Sequence, residues 1–153
     1  MERNDAIKEL NDLHELLADG RKGYHETARK VDHPQLAELL ERLSRQRDSM
    51  QAEMAGVIRR LRPDDRLQDG TVKGDLHRAW IDIRETLGTA DNTNMLNECE
   101  RGENYILQRY DEVIADHDVD ASTRQLLNIH REQIRENLAM VKTLRKSMEA
   151  VEK

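Results

Sequence analysis

The sequence predicts an all-α fold, a four-helix bundle built from two antiparallel helical hairpins. Its length of 153 residues is that of one domain, which we place over residues 1–153. Charged and apolar residues each make up 37% of the chain, and there are two prolines, seven glycines and no phenylalanine. All-β domains need more turn residues and more aromatic residues than this. Apolar residues recur at steps of three and four, which is the period of an amphipathic helix.

The first hairpin consists of two long helices. Apolar positions predict one helix over residues 4–31 and a second over residues 35–62. Pro34 separates them, because proline cannot continue a helix but fits the first turn of the next one. Pro63 closes the second helix. Two long helices joined by so tight a turn form an antiparallel hairpin.

A long crossover is predicted over residues 63–92, where glycines bracket a polar link. Within it, helical spacing predicts a short helix over residues 74–87, ended by a glycine. The apolar face of this short helix consists of Leu76, Trp80, Ile83 and Leu87.

The second hairpin is predicted from helices over residues 93–116 and 122–150. Ser122 and Gln125 have the spacing of a capping box at the start of the last helix. Because the crossover is long enough to traverse the bundle, the second and third long helices would be parallel, which is ferritin-like topology. The alternative is an elongated coiled-coil dimer. We favour the bundle, because four amphipathic helices in one chain can bury their apolar stripes internally.

Four short segments, spread from the first long helix to the third, carry a resemblance to a known family. The chain resembles a group of uncharacterised bacterial ferritin-like proteins with a four-helix-bundle fold. The resemblance implies this fold and a bacterial origin, and it implies no established reaction. The segments are Leu10-Asn11-Asp12-Leu13, Asp19-Gly20-Arg21-Lys22-Gly23-Tyr24, His77-Arg78-Ala79-Trp80 and Glu98-Cys99-Glu100-Arg101-Gly102-Glu103.

Several polar residues occupy positions on the apolar stripes. Arg21, Arg47, Glu103 and Asn137 fall at one depth in a ferritin-like bundle. A buried carboxylate costs several kcal/mol unless it is paired. We therefore favour a structural ion-pair layer in which the two arginines sandwich Glu103 and Asn137 caps it. In this interpretation no cofactor is expected and no catalytic residue is assigned.

The alternative interpretation is a metal site for iron or manganese. Its ligands would be Glu103, Glu100, His14 and His130, with Glu26 as a further candidate. Di-iron bundles of this topology use Glu-x-x-His pairs. No histidine in this sequence has an acidic residue three positions before it, which argues against a di-iron centre of the usual form.

The charge and cysteine content of the chain bear on its possible partners and on its location in the cell. With 25 basic and 31 acidic residues the chain has no overall positive field, so we predict no nucleic-acid partner. No stretch approaches the about 20 apolar residues that span a bilayer, so we predict no membrane partner. The N-terminus lacks an apolar signal region and Cys99 is the single cysteine. These features predict a cytoplasmic protein.

The leading functional hypothesis is a non-catalytic bundle that acts by association. We expect a homo-oligomer, in the first place a dimer, or a complex with a protein partner. A role in bacterial stress response follows from analogy with other ferritin-like proteins. The competing hypothesis is a divergent protein that binds iron or manganese. A third is a small-ligand pocket under the crossover helix, near Trp80.

Overall fold

The computed structural model describes residues 3–63 and 92–152 of the chain. These ranges contain four α-helices and no strand, which confirms the all-α prediction for them. The short helix predicted over residues 74–87, and Trp80 within it, lie outside the described residues. The helices are α1 (Arg3–Ala28), α2 (Pro34–Leu61), α3 (Asn92–Ile114) and α4 (Ala121–Glu152).

Local hydrogen bonds explain where two of the helices begin. At the start of α2, His33 is the N-cap, and its Nδ1 accepts a hydrogen bond from the Leu36 amide at 3.3 Å. Pro34 follows as the first helical residue, where its missing N–H costs nothing. At the start of α4, the Asp120 carboxylate accepts a hydrogen bond from the Thr123 amide at 2.7 Å. Asp120 therefore caps this helix in place of the predicted Ser122.

The helices pack as two hairpins laid against each other. The most extensive contacts are those of α1 with α2 and of α3 with α4, and α1–α3 and α2–α4 contacts join the hairpins. The apolar stripes thus face one another within a single chain. None of the helices in the described ranges is both long enough and apolar enough to cross a membrane. The fully buried apolar side chains include Leu10, Leu13, Leu17, Leu36, Leu40, Leu43, Met50, Met54, Ile58 and Leu96.

The core is not apolar throughout, since charged and polar side chains lie among the leucines and methionines. Arg47 and Glu103 are almost completely buried, and so are His130 and Asn137. Burying such groups is unfavourable unless each has a partner. The candidate functional side chains therefore lie in the middle of the bundle.

Candidate functional site

Glu103 lies at the centre of the bundle. It follows Cys99 by four residues and precedes Ile106 by three on α3, so the helical period turns its side chain inward with theirs. The side chain is 0% exposed. A carboxylate at this depth requires partners that compensate for lost water.

Each of the other three helices contributes one partner to Glu103. Arg47 of α2 forms an ion pair with Oε1. The hydroxyl of Tyr24, on α1, donates a hydrogen bond to the same oxygen at 2.5 Å. Asn137 of α4 donates from Nδ2 to Oε2 at 3.4 Å. We call these four residues the central cluster; its bonds connect all four helices.

Arg47 is positioned by its neighbours on two helices. Its guanidinium lies 5.8 Å from the centre of the Tyr24 ring, within the range of a cation–π contact. A Cβ added at Gly20 would lie 3.3 Å from Arg47 Nε and 3.4 Å from its Cδ. The missing side chain of Gly20 therefore lets the arginine lie flat against α1. Gly20 therefore allows a close approach that any larger residue would obstruct.

The protonation states in the central cluster follow from burial and charge. Burial, together with the Glu103 charge, raises the pKa of Tyr24 well above its ordinary value, so the phenol stays protonated and donates. Burial disfavours the charged form of Arg47, but the Glu103 carboxylate together with Tyr24 and Tyr110 raises the pKa of the guanidinium above its ordinary value. Burial also raises the pKa of the adjacent Cys99 thiol. None of these three groups supplies a nucleophile or a base near neutral pH.

Arg21 does not join the central cluster. Its side chain is 38% exposed, its Nε donates to Gln51 Oε1 at 3.2 Å, and it lies 3.8 Å from Asp48 Oδ1. Tyr24 occupies the position beside Glu103 that the sequence assigned to Arg21. The signal that could have found Tyr24 is its place on the α1 stripe, one turn after Gly20. A phenol with an inward stripe position needs a hydrogen-bond partner as much as an arginine does.

The residues of the predicted metal site lie apart from one another. Glu100 bonds to Arg145 and lies 3.8 Å from Lys142 Nζ, at the α3–α4 surface. His14 lines a groove between α1 and α2. In residues 3–63 and 92–152, histidine, cysteine and acidic side chains form no group of three that could hold a metal ion. Glu26, the further candidate, is exposed.

His130, the fourth predicted ligand, belongs to a separate hydrogen-bonded row. Its Nδ1 lies 2.8 Å from the Tyr110 hydroxyl, and its Nε2 lies 3.3 Å from Glu53 Oε1. A carboxylate can only accept, so the ring proton belongs on Nε2 and Nδ1 accepts from the tyrosine. Burial lowers the pKa of His130, against the opposing effect of Glu53. The row connects a buried phenol to a half-exposed carboxylate through a neutral imidazole.

The chain matches one family model over residues 5–116, and the family is described as a domain of unknown function, DUF2383. The match spans most of α1 and all of α2 and α3. It includes three members of the central cluster, while Asn137 lies beyond it. A search of the curated proteins finds no match to the chain.

Proposed function

Starting from the fact that the chain belongs to the DUF2383 family of unknown function, we propose that it is a non-catalytic ferritin-like helical bundle that acts by self-association. The observation behind this proposal is that donors of the same chain surround the Glu103 carboxylate. The central carboxylate is neutralised by Arg47 and bonded by Tyr24 and Asn137. Both of its oxygens therefore accept from donors of its own chain.

Contacts between α1 and α3 support the ferritin-like arrangement. Asp12, near the start of α1, lies 4.0 Å from Arg109, near the end of α3. Tyr24, near the end of α1, bonds to Glu103 in the middle of α3. Residue numbers rise along one helix while they fall along the other, as in an antiparallel pair.

Contacts between α2 and α4 have the same order. Arg60 donates to Thr123 Oγ1 at 3.1 Å, and Gln46, earlier in α2, accepts from Asn137, later in α4. With α1 and α2 joined by a tight turn, this order supports parallel directions for α2 and α3. That is the relation by which a ferritin-like bundle differs from an up-down-up-down bundle.

The ligand requirements of such bundles argue for a non-catalytic role. Metal centres of this topology combine several carboxylates and histidines that project inward from all four helices. Here the inward carboxylate faces a guanidinium, which would repel a dication. Two of the predicted ligands, Glu100 and His130, already bond to Arg145 and Tyr110. A ferritin-like protein with such a core is better suited to a structural or binding role.

A surface on α4 supports self-association. Ile129 is 50% exposed and is the large apolar side chain that the described part of the chain leaves at the surface. It lies in a shallow, open and mostly apolar groove along this helix. Arg124 lies toward one end of the groove, and Glu132 and Glu136 toward the other. An antiparallel second copy would bring these opposite charges together and bury Ile129 at the centre.

Light scattering coupled to size exclusion tests self-association. We expect twice the 17.9 kDa mass of one chain for the parent, and the monomer mass for Ile129→Glu, because a charge at the centre of an apolar interface is costly. Ala139→Glu, a change at an exposed α4 position outside the groove, is the control and should stay dimeric. A parent that is monomeric at the highest concentration reached would contradict the proposal.

Metal analysis of protein purified without chelator tests the proposal that the bundle is non-catalytic. We expect substoichiometric iron and manganese in the parent. Stoichiometric metal that is lost in Glu103→Ala, with helix content retained by circular dichroism, would establish the competing metal-binding function instead. The cytoplasmic location and the link to bacterial stress response stay predictions.

A further inference from the structure

A polar groove runs between α1 and α2 on the outside of the bundle, away from the central cluster. Its volume is about 620 Å³, and small-molecule sites commonly have roughly 300–1,000 Å³. His14 and Arg21 line it from α1, and Asp48, Gln51, Ala52, Ala55 and Arg59 line it from α2.

The charge of this groove is opposite in sign to that of the whole chain. Two arginines and one aspartate line it, whereas the chain carries a formal net charge of -6. The two guanidinium groups outnumber the one carboxylate, and a cleft of net positive charge concentrates anions. The lining therefore selects for an anion.

Contacts with α2 hold Arg21 in place through its Nε and its backbone carbonyl. Its Nε donates to Gln51 Oε1 at 3.2 Å and lies 3.8 Å from Asp48 Oδ1. The Ser44 hydroxyl also donates to the Arg21 carbonyl at 2.9 Å, which fixes the backbone against α2. The two terminal nitrogens make none of these contacts with the described residues, and a guanidinium fork matches the oxygens of a carboxylate or phosphate.

Arg59 differs from its neighbour in sequence. Arg60 bonds to Thr123 Oγ1 at 3.1 Å and lies 3.6 Å from Asp120 Oδ2. Arg59 makes no hydrogen bond or ion pair with any described residue. It lines the groove, whereas Arg60 does not. A second guanidinium thus lines the other end of the groove.

Small side chains separate the two arginines. Ala52 and Ala55 lie between Gln51 and Arg59 on α2, and the eight residues from Gln51 to Arg59 span about 12 Å of helix. Short side chains leave room for the body of a ligand. His14, which is 3% exposed, lines the groove from the α1 side.

We propose that this groove binds a small organic anion whose oxyanion groups are held by Arg21 and Arg59. Carboxylate and phosphate share the chemistry that two guanidinium groups recognise. The body of the ligand would lie over the two alanines. The site is independent of the α4 surface and of the central cluster, so its test does not depend on the oligomeric state.

Amide NMR titration of the full chain at low ionic strength tests the proposal, with inorganic phosphate, pyrophosphate and citrate as probes. We expect saturable shifts at the Gln51, Ala52 and Ala55 amides with at least one probe. Binding of pyrophosphate but not citrate would assign the site to phosphates, and the reverse would assign it to carboxylates. The absence of saturable shifts with all three probes would overturn the proposal.

Substitutions in the groove distinguish binding of the anion at a specific site from attraction of the anion to the overall charge of the protein. Arg59→Ala and Arg21→Ala should each weaken the Kd about tenfold, which corresponds to about 1.4 kcal/mol. Arg45→Ala removes the same charge from an exposed position of α2 outside the groove and should leave the Kd unchanged. An equal loss in Arg45→Ala would overturn the proposal, because it would reveal attraction to net charge alone.

Discussion

Glu103 and Glu9 are both glutamates that their helices turn toward the bundle, and their surroundings differ. Glu103, in the middle of α3, faces Arg47, Tyr24 and Asn137. Glu9, near the start of α1, faces the carboxyl of Asp116, which follows α3 and is 7% exposed. One carboxyl has a cation and two donors, and the other has a second acid.

Neighbouring groups decide whether an inward glutamate is held by donors or titrates near neutral pH. At the centre, Arg47 pairs with the Glu103 carboxylate, and the bonds from Tyr24 and Asn137 connect it to the other two helices. At the end of the bundle, burial and the nearby Asp116 raise the pKa of Glu9 from 4.5 to about 7, although Arg109 opposes the shift. Since the pKa values of Tyr24, Arg47 and Cys99 are all raised, these central groups should not titrate near neutral pH, whereas Glu9 should.

The largest expected effect comes from removing the cation at the centre. Arg47→Met leaves Glu103 buried and unpaired, which should lower the free energy of unfolding by about 3–5 kcal/mol. Urea unfolding at pH 7 measures it. Arg47→Met combined with Glu103→Leu should recover most of the loss, because no unpaired charge remains. If Arg47→Met unfolded at the urea concentration of the parent, the central cluster would not be buried as described.

A smaller effect should follow from crowding Arg47. Gly20→Val adds atoms where a Cβ alone would lie 3.3 Å from Arg47 Nε, and such overpacking should cost about 1–3 kcal/mol. The matched control is Gly56→Ala on α2, where a Cβ meets nothing within 4 Å. That change should stabilise by about 0.5–1 kcal/mol, through helix propensity. Equal gains at both positions in urea unfolding would mean that α1 does not need a glycine there.

The smallest effect is expected at the end of the bundle and depends on pH. Because the folded pKa of Glu9 is raised, its contribution to stability is fully present below pH 4.5 and is lost as pH rises through about 7. Glu9→Gln should remove this part of the pH dependence and stabilise the protein at pH 8 relative to the parent. Unfolding midpoints at pH 5 and pH 8 measure it, with the exposed Glu38→Gln as control. A parent and Glu9→Gln variant with parallel pH profiles would refute the raised pKa.

The helices were predictable because each depends on a local period. Apolar residues at steps of three and four predicted four long helices, whose observed ends differ from the predicted ones by at most three residues. The proline between the first two was a local signal as well. The cap of α4 was less predictable, since Asp120 and Ser122 are both good capping residues and the backbone of the preceding turn decides between them.

Within the central cluster, the sequence allowed three positions to be paired by depth alone. Helices of known length and direction place Arg47, Glu103 and Asn137 at one level, and the structure brings these three into contact. Depth did not distinguish Arg21 from Tyr24, which lie three residues apart on α1. A rotation of α1 by a fraction of a turn decides which of them faces Glu103, and helical period alone does not set that angle.

The helical fold, the positions of the long helices in the chain and the need of an inward glutamate for a partner can all be predicted from the residues alone. These are consequences of local geometry and of the cost of burying charge. The packing of the helices places Tyr24, and not Arg21, beside that glutamate, turns Arg21 toward a groove and brings Glu9 against another acid. Those outcomes depend on how the helices are rotated and packed against one another, and this is a property of all four together.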